Sequence, residues 1–225
     1  MANICIILGK SGTGKSTSIK GLNPDNTVIL NILNKRLPFK GSSSKYVEGS
    51  NLLYVEESKA LTTILAAIQQ SKDVHNVVID DAMYIMSKEY FARAKETGYS
   101  KYTELAAHFQ QIIHACEGMR SDLNIFFLMH AEDIVSDGTV IEYKVRTIGK
   151  LLDSQYNPVE VVPIVLFSDI VFDDKGKASY GFYTHAMMKG AVKIPAKSPD
   201  GMFADDWIPN DLGLVVTAME SYYKG

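Results

Sequence analysis

Residues 9–16 read Gly-Lys-Ser-Gly-Thr-Gly-Lys-Ser, and no other feature of the chain restricts its fold as tightly. Two glycines five apart, followed by Lys and Ser, form the pattern of a phosphate-cradling loop. The run before it, Ile4-Cys5-Ile6-Ile7-Leu8, is short, apolar and rich in β-branched residues. That is the composition of a strand buried on both faces of a parallel sheet. After the loop, Thr17-Ser18-Ile19-Lys20 can continue as helix, with Gly21 as the stop. Strand, glycine-rich turn and helix in that order call for an α/β fold.

The residue types set the chemistry. Glycines at 9, 12 and 14 permit turn conformations closed to other residues and a close approach to a ligand. The exposed N–H groups can then cup a phosphate, aided by the positive end of the helix. The predicted nucleotide-binding set is Gly9, Ser11, Gly12, Thr13, Gly14, Lys15, Ser16 and Thr17. Lys15 is the candidate for the β- and γ-phosphate oxygens, and Ser16 offers its hydroxyl to Mg²⁺.

Composition narrows the class. A chain of 225 residues with 46% hydrophobic and 22% charged residues can bury one sizeable core, and a single domain over 1–225 is expected. A net charge of -3 argues against a strongly basic nucleic-acid binder but leaves room for a local basic loop. The apolar runs are too short to cross a bilayer. Met1-Ala2-Asn3 places no basic segment before the first apolar run, so neither a signal peptide nor a membrane partner is expected, and a cytoplasmic location is. Cys5 falls in the first strand and Cys116 on a helix, which reads as two buried thiols. The five histidines and two cysteines show no zinc-type spacing, so any metal is Mg²⁺ arriving with a nucleotide.

Further strands are predicted at 27–32, 52–55, 76–80 and 124–129, with helices at 59–71 and 83–120, the latter broken near Gly98. Residues 130–143 read as a polar loop. Strands at 163–172 and 178–185 flank a hairpin turn at 173–177. Residues 193–207 read as irregular, and Asn210 as the cap of a closing helix through 223. Alternating strands and helices argue for a mostly parallel central sheet flanked by helices, closed by a C-terminal β-hairpin and helix.

Other candidates for an NTPase site lie at strand ends. Val77-Val78-Ile79-Asp80-Asp81 is an apolar strand ending in two acids. Asp80 is assigned to the metal and Asp81 to the attacking water. Glu56 and Glu57 also follow a strand and compete for the role of base. His130 ends another buried strand, where it can sense a γ-phosphate. Lys144, Arg146 and Lys150 are candidate cations for the γ-phosphate, in a neighbouring subunit's site. The loop Lys35-Arg36-Leu37-Pro38-Phe39-Lys40 is a candidate contact for a nucleic-acid backbone, with Phe39 stacking on a base.

Several blocks together resemble a known family. They are the octet at 9–16, Leu37-Pro38-Phe39-Lys40-Gly41, the strand ending in Asp80-Asp81, Thr147-Ile148-Gly149-Lys150, and the tail Gly201-Met202-Phe203 with Ile208-Pro209-Asn210-Asp211-Leu212. They resemble small phage-encoded ATPases grouped with RecA-like ATPases, including core-only phage recombination proteins that assist single-strand annealing. The resemblance implies a RecA-like P-loop NTPase core, bound ATP and Mg²⁺, and a setting in DNA recombination or replication inside the host cell. It also implies single-stranded DNA as a partner, a phage recombination or replication protein as another, and a homo-oligomeric ring or filament. Two positions depart from the family pattern. Only Glu56 or Glu57 matches the catalytic Glu that follows an early strand, and His130 stands where Gln or Asn is frequent.

The leading expectation is therefore an ATPase that couples nucleotide state to DNA binding, with Lys15, Asp81, Glu57, His130, Arg146 and Lys150 as the catalytic candidates. A nucleotide-gated adaptor or loader with little turnover is the first alternative. A small-molecule kinase is the second, although no dense arginine cluster of the lid type is present.

Overall fold

The computed structural model describes residues 1–98, 100–148 and 156–224. In chain order the elements are β1 (Asn3–Gly9), a 3-10 helix (Ser16–Gly21), a 3-10 turn (Pro24–Asn26), β2 (Thr27–Asn31), α1 (Ser42–Lys45), β3 (Leu52–Tyr54), α2 (Ser58–Gln70) and β4 (Asn76–Asp80). Next come α3 (Tyr84–Ala92), α4 (Ser100–Glu117), β5 (Asn124–Ser136), β6 (Thr139–Val145), α5 (Pro158–Val161) and β7 (Ile164–Phe172). The tail adds β8 (Ala178–Tyr183), β9 (Met187–Lys189), β10 (Val192–Ile194), β11 (Trp207–Pro209) and α6 (Leu212–Lys224).

The sheet order is β11-β8-β7-β1-β5-β4-β2-β3. Strands β7, β1, β5, β4, β2 and β3 run parallel, while β8 and β11 close one edge antiparallel. This mostly parallel sheet with helices on both faces is the RecA-like P-loop NTPase fold, as expected, with the C-terminal strands and closing helix in place. Each central strand buries both faces. In β1, Ile4, Ile6 and Leu8 join the core under α2, α3 and α4. Cys5 and Ile7 join the core on the other side, under the 3-10 helix and α6. Strict alternation between two apolar layers is why these strands read as continuous hydrophobic runs.

A chain of buried amides fixes the amino-terminal edge of the sheet. Asn3 Nδ2 donates to Asn124 Oδ1 at 3.0 Å, Asn124 Nδ2 to Asn76 Oδ1 at 3.2 Å, and Asn76 Nδ2 to Asn26 Oδ1 at 3.1 Å. A one-residue slip of any strand would strand these amides in the core, so they hold register.

One local expectation needs correction and two gain detail. The segment after the phosphate loop is helical as far as Gly21, as expected, in the form of a 3-10 helix over Ser16–Gly21. Residues 130–143 are not a loop. β5 continues through Ser136 and pairs antiparallel with β6. Asp137 and Gly138 both take positive φ (50° and 76°), the geometry of a type I′ hairpin turn, and Asp-Gly is its strongest local signal. Residues 195–206 are irregular as expected, apart from an isolated bridge at Lys197, while 193–194 end the β9–β10 hairpin and Trp207 begins edge strand β11. The break between α3 and α4 falls at Gly98 (φ 96°) as expected. Both cysteines are buried and free. Among the described residues no helix is long and apolar enough to cross a membrane.

Candidate functional site

The sheet order places the site. With β5 lying between β1 and β4, the carboxyl ends of all three strands meet at one edge. Gly9 pairs in register with His130 on one side and Ser168 on the other, and Asp80 pairs with Asn31. Ligands of open α/β sheets bind at this edge. A cleft of about 830 Å³ opens there, within the range of small-molecule sites. Ser11, Gly12, Gly14, Lys15, Ser16 and Thr17 form its floor, with Asp80, Asp81 and His130 behind.

The loop is braced from below. Thr13 Oγ1 donates to the Lys10 carbonyl at 2.9 Å, and Ser168 Oγ donates to the Thr13 carbonyl at 2.8 Å. Gly9 and Thr13 thus support the cradle without lining the cleft. Lys15 is 6% exposed, and its Nζ donates to the carbonyls of Gly9 (2.8 Å) and Lys10 (2.7 Å). Burial lowers its pKa to about 8, against the pull of Asp81 and Asp80, while the charge of Lys35 adds to the lowering. It is a desolvated ammonium group that lines an open cleft.

Ser16 Oγ donates to Asp80 Oδ1 at 2.8 Å. Burial, with the neighbouring Asp81 charge, pushes Asp80 up to about 6, opposed by the Ser16 hydrogen bond. Asp81 goes the other way. Burial raises it, but hydrogen bonds from His130 and Lys35 outweigh burial and hold it below the ordinary carboxylate range. His130 Nε2 lies 2.9 Å from Asp81 Oδ1, and Lys35 Nζ lies 3.1 Å from Asp81 Oδ2. Asp81 adopts left-handed backbone (φ 59°), a costly conformation that clusters at functional sites. Two adjacent acids driven apart in this way take different roles. Asp80 suits a metal, and Asp81 stays an ionised hydrogen-bond acceptor.

The other candidates fall elsewhere. Glu57 is exposed at the start of α2 and does not line the cleft, nor does its neighbour Glu56. Arg146 is exposed just past β6. Its backbone N–H donates to the His130 carbonyl at 2.8 Å, while the cleft lining does not include it. Lys144 pairs with Glu132 across the β5–β6 hairpin at 3.0 Å. Lys150 and Gly149 lie outside the described residues. Phe39, read as a base-stacking ring, packs edge-on against Tyr46 with centroids 6.2 Å apart.

Sequence reasoning missed a whole wall. Lys20, Lys35, Arg36, Pro38, Tyr180, Pro209, Asn210 and Asp211 line the same cleft. Asn210 does not cap α6. Asp211 Oδ1 accepts the Gly213 N–H at 2.8 Å instead. That frees the Asn210 amide to donate to the Gly14 carbonyl at 3.0 Å. Gly14 has φ 94°, and a Cβ there would run into the Asn210 amide, so the tail and the loop demand glycine together. Asn210→Ala removes that donor and leaves the Gly14 carbonyl with the Ser18 N–H (3.0 Å) as its remaining donor, a loss of about 1 kcal/mol. It is expected to lower the melting temperature by a few degrees and to weaken ATP binding, as measured by scanning fluorimetry with and without nucleotide.

A search of curated proteins finds no match to the chain. A sequence model of the AAA domain family matches residues 1–160. The match takes in the phosphate loop, both acids and His130 and stops before β7, so Ser168, Tyr180 and Asn210 are added from beyond it. With more than two thirds of the chain matched and the loop seated against the Ser16–Asp80 pair, this protein belongs to the AAA domain family and carries an AAA-type, nucleotide-binding ATPase domain.

Proposed function

We propose that the protein is a Mg·ATP-dependent ATPase that couples nucleotide state to single-stranded DNA binding in phage recombination, single-strand annealing or replication. The 2.8 Å contact between Ser16 Oγ and Asp80 Oδ1 at the foot of the phosphate loop carries the nucleotide part. A hydroxyl and a carboxylate are the hard oxygen ligands that suit Mg²⁺, which takes its others from phosphate and water. Ser16 and Asp80 would hold the ion, and the ion when bound offsets phosphate charge. Lys15 grips the triphosphate, His130 orients Asp81, and Asp81 orients the attacking water.

The coupling part is supported by connectivity. His130 lies within β5, and the same strand continues outward as the β5–β6 hairpin. A shift of His130 on γ-phosphate binding is therefore passed to the ribbon bearing Lys144 and, through the backbone hydrogen bond between them, to Arg146 just beyond it. Lys35, Arg36 and Pro38 of the basic segment stand at the cleft mouth, so a strand bound there would feel the nucleotide. Arg146 and Lys150 are proposed to complete a neighbour's site in a homo-oligomer, and residues 1–225 to act as one ATPase domain.

Phosphate release measured with and without single-stranded DNA, alongside light scattering, tests this reading. DNA is expected to raise turnover several-fold and ATP to increase assembly size. Turnover indifferent to DNA, with no assembly, would refute the coupling.

One observation favours a second reading, a nucleotide-gated adaptor with little hydrolysis. Asp81 is tied by hydrogen bonds to His130 and Lys35, and a carboxylate held low is a weak base. Tight ATP binding with negligible turnover, even with DNA, would select it.

A further inference from the structure

Lys35 is the cleft residue whose present partner is hardest to reconcile with a resting structural role. β2 ends at Asn31, and the chain reverses at Asn34 in left-handed backbone (φ 55°). Asn31 Nδ2 then clamps the Lys35 carbonyl at 2.6 Å. This turn sends the Lys35 side chain back over the site, its Nζ 3.1 Å from Asp81 Oδ2 and 5.9 Å from the Tyr84 ring centroid. Tyr84 in turn meets the His130 ring edge-to-face at 5.8 Å. The backbone of Lys35 is fixed, while its side chain is 61% exposed against 11% for Asp81. A long, half-solvated side chain on a fixed root can exchange partners at little cost.

We propose that Lys35 is the cation that reads the terminal phosphate of ATP, supplied by the same chain, and that Asp81 is its counter-ion only while no terminal phosphate is present. The inference rests on nucleotide binding at the phosphate loop. Lys35, Lys15, Ser16, Asp80, Asp81 and His130 all face one cleft. A terminal phosphate seated beyond Lys15 presents a double negative charge where the single charge of Asp81 now stands, and it takes the ammonium group. Asp81 Oδ2 is then free to accept a hydrogen bond from water while His130 keeps Oδ1. The water oxygen forms the new bond to the terminal phosphorus as the bond to the β–γ bridging oxygen breaks. The electron pair leaves with ADP, one water hydrogen stays on the phosphate, and the other departs through Asp81 to solvent. ADP has no terminal phosphate, so it leaves the Lys35–Asp81 pair closed.

Calorimetric titration of the full chain with Mg·ADP and with a magnesium-loaded, non-hydrolysable ATP analogue tests the inference. Lys35→Met is expected to leave ADP affinity within about twofold and to weaken the triphosphate analogue by about tenfold or more, the worth of one charge-assisted hydrogen bond. Lys35→Arg should restore most of the preference. Asp81→Asn suits the left-handed backbone and removes the competing carboxylate. It should tighten the triphosphate analogue while ADP is unchanged. Equal losses for both nucleotides in Lys35→Met, or an unchanged preference, overturns the assignment while nucleotide binding by the native chain still stands. No binding of either nucleotide by the native chain would remove the Lys35 assignment together with the reading beneath it.

Discussion

Lys15→Ala is expected to abolish nucleotide binding, lowering affinity for a magnesium-loaded ATP analogue by about a hundredfold or more. The reason lies in how the ammonium group is kept. It sits 6% exposed, held by two backbone carbonyls and lacking a carboxylate of its own within the loop. A charge already taken out of water attracts an incoming phosphate with little screening. Hydrogen bonds to charged groups are worth about 1.5–3 kcal/mol each, so removing the two that Lys15 would make to phosphate costs about 3–6 kcal/mol. Each 1.4 kcal/mol is about tenfold in affinity. Burial lowers Lys15 to about 8, so it is mostly protonated at neutral pH, and binding should weaken as pH rises past that value. Calorimetry on native and variant chains checks this, and an affinity within about threefold of the native one would contradict it.

Asp80→Asn is expected to do two opposite things, stabilising the ligand-free protein while removing its response to Mg·ATP. Asp80 is pushed up to about 6 by burial, against an ordinary value near 4. A carboxyl with a raised folded value favours folding fully below about pH 4, and that advantage is lost as pH climbs through about 6. Above this the ionised group is buried at a cost of about 3 kcal/mol. Asparagine keeps an oxygen for the Ser16 hydroxyl and carries no charge. At pH 7.5 the variant should melt several degrees higher, and near pH 4 the difference should vanish, since about 1 kcal/mol moves a chain of this size by some 2–4 °C. Saturating Mg·ATP, which stabilises the native chain by mass action, should leave the variant unmoved. Scanning calorimetry at both pH values decides, and a lower melting temperature at pH 7.5 would refute the account.

Much of the site was legible because its residues are contiguous. A strand composition, glycines at the needed spacing and a following Lys-Ser pair lie within 14 residues, and the fold has only to keep them together. Asp80 and His130 were legible for a related reason. Each ends an apolar run, and the ends of parallel strands share one edge. The hairpin at 136–139 carried a readable Asp-Gly signal that the polarity of its surroundings masked. Asn210 is different. As a residue before a helix it looks like a cap, and only the neighbouring Asp211, which takes the capping hydrogen bond, releases it to the loop.

By itself the sequence determined the central parallel strands and the spacing of the phosphate loop, because both depend on periodicity and on neighbours a few residues apart. The tertiary structure alone decided who else attends it. Lys35 reaches Asp81 across 46 residues, Ser168 reaches Thr13 across 155, and Asn210 reaches Gly14 across 196. Those meetings follow from the order in which strands pair and from one left-handed turn at Asn34. Strand order is set by the joint burial of two apolar layers over the whole sheet, a property no short window of residues contains.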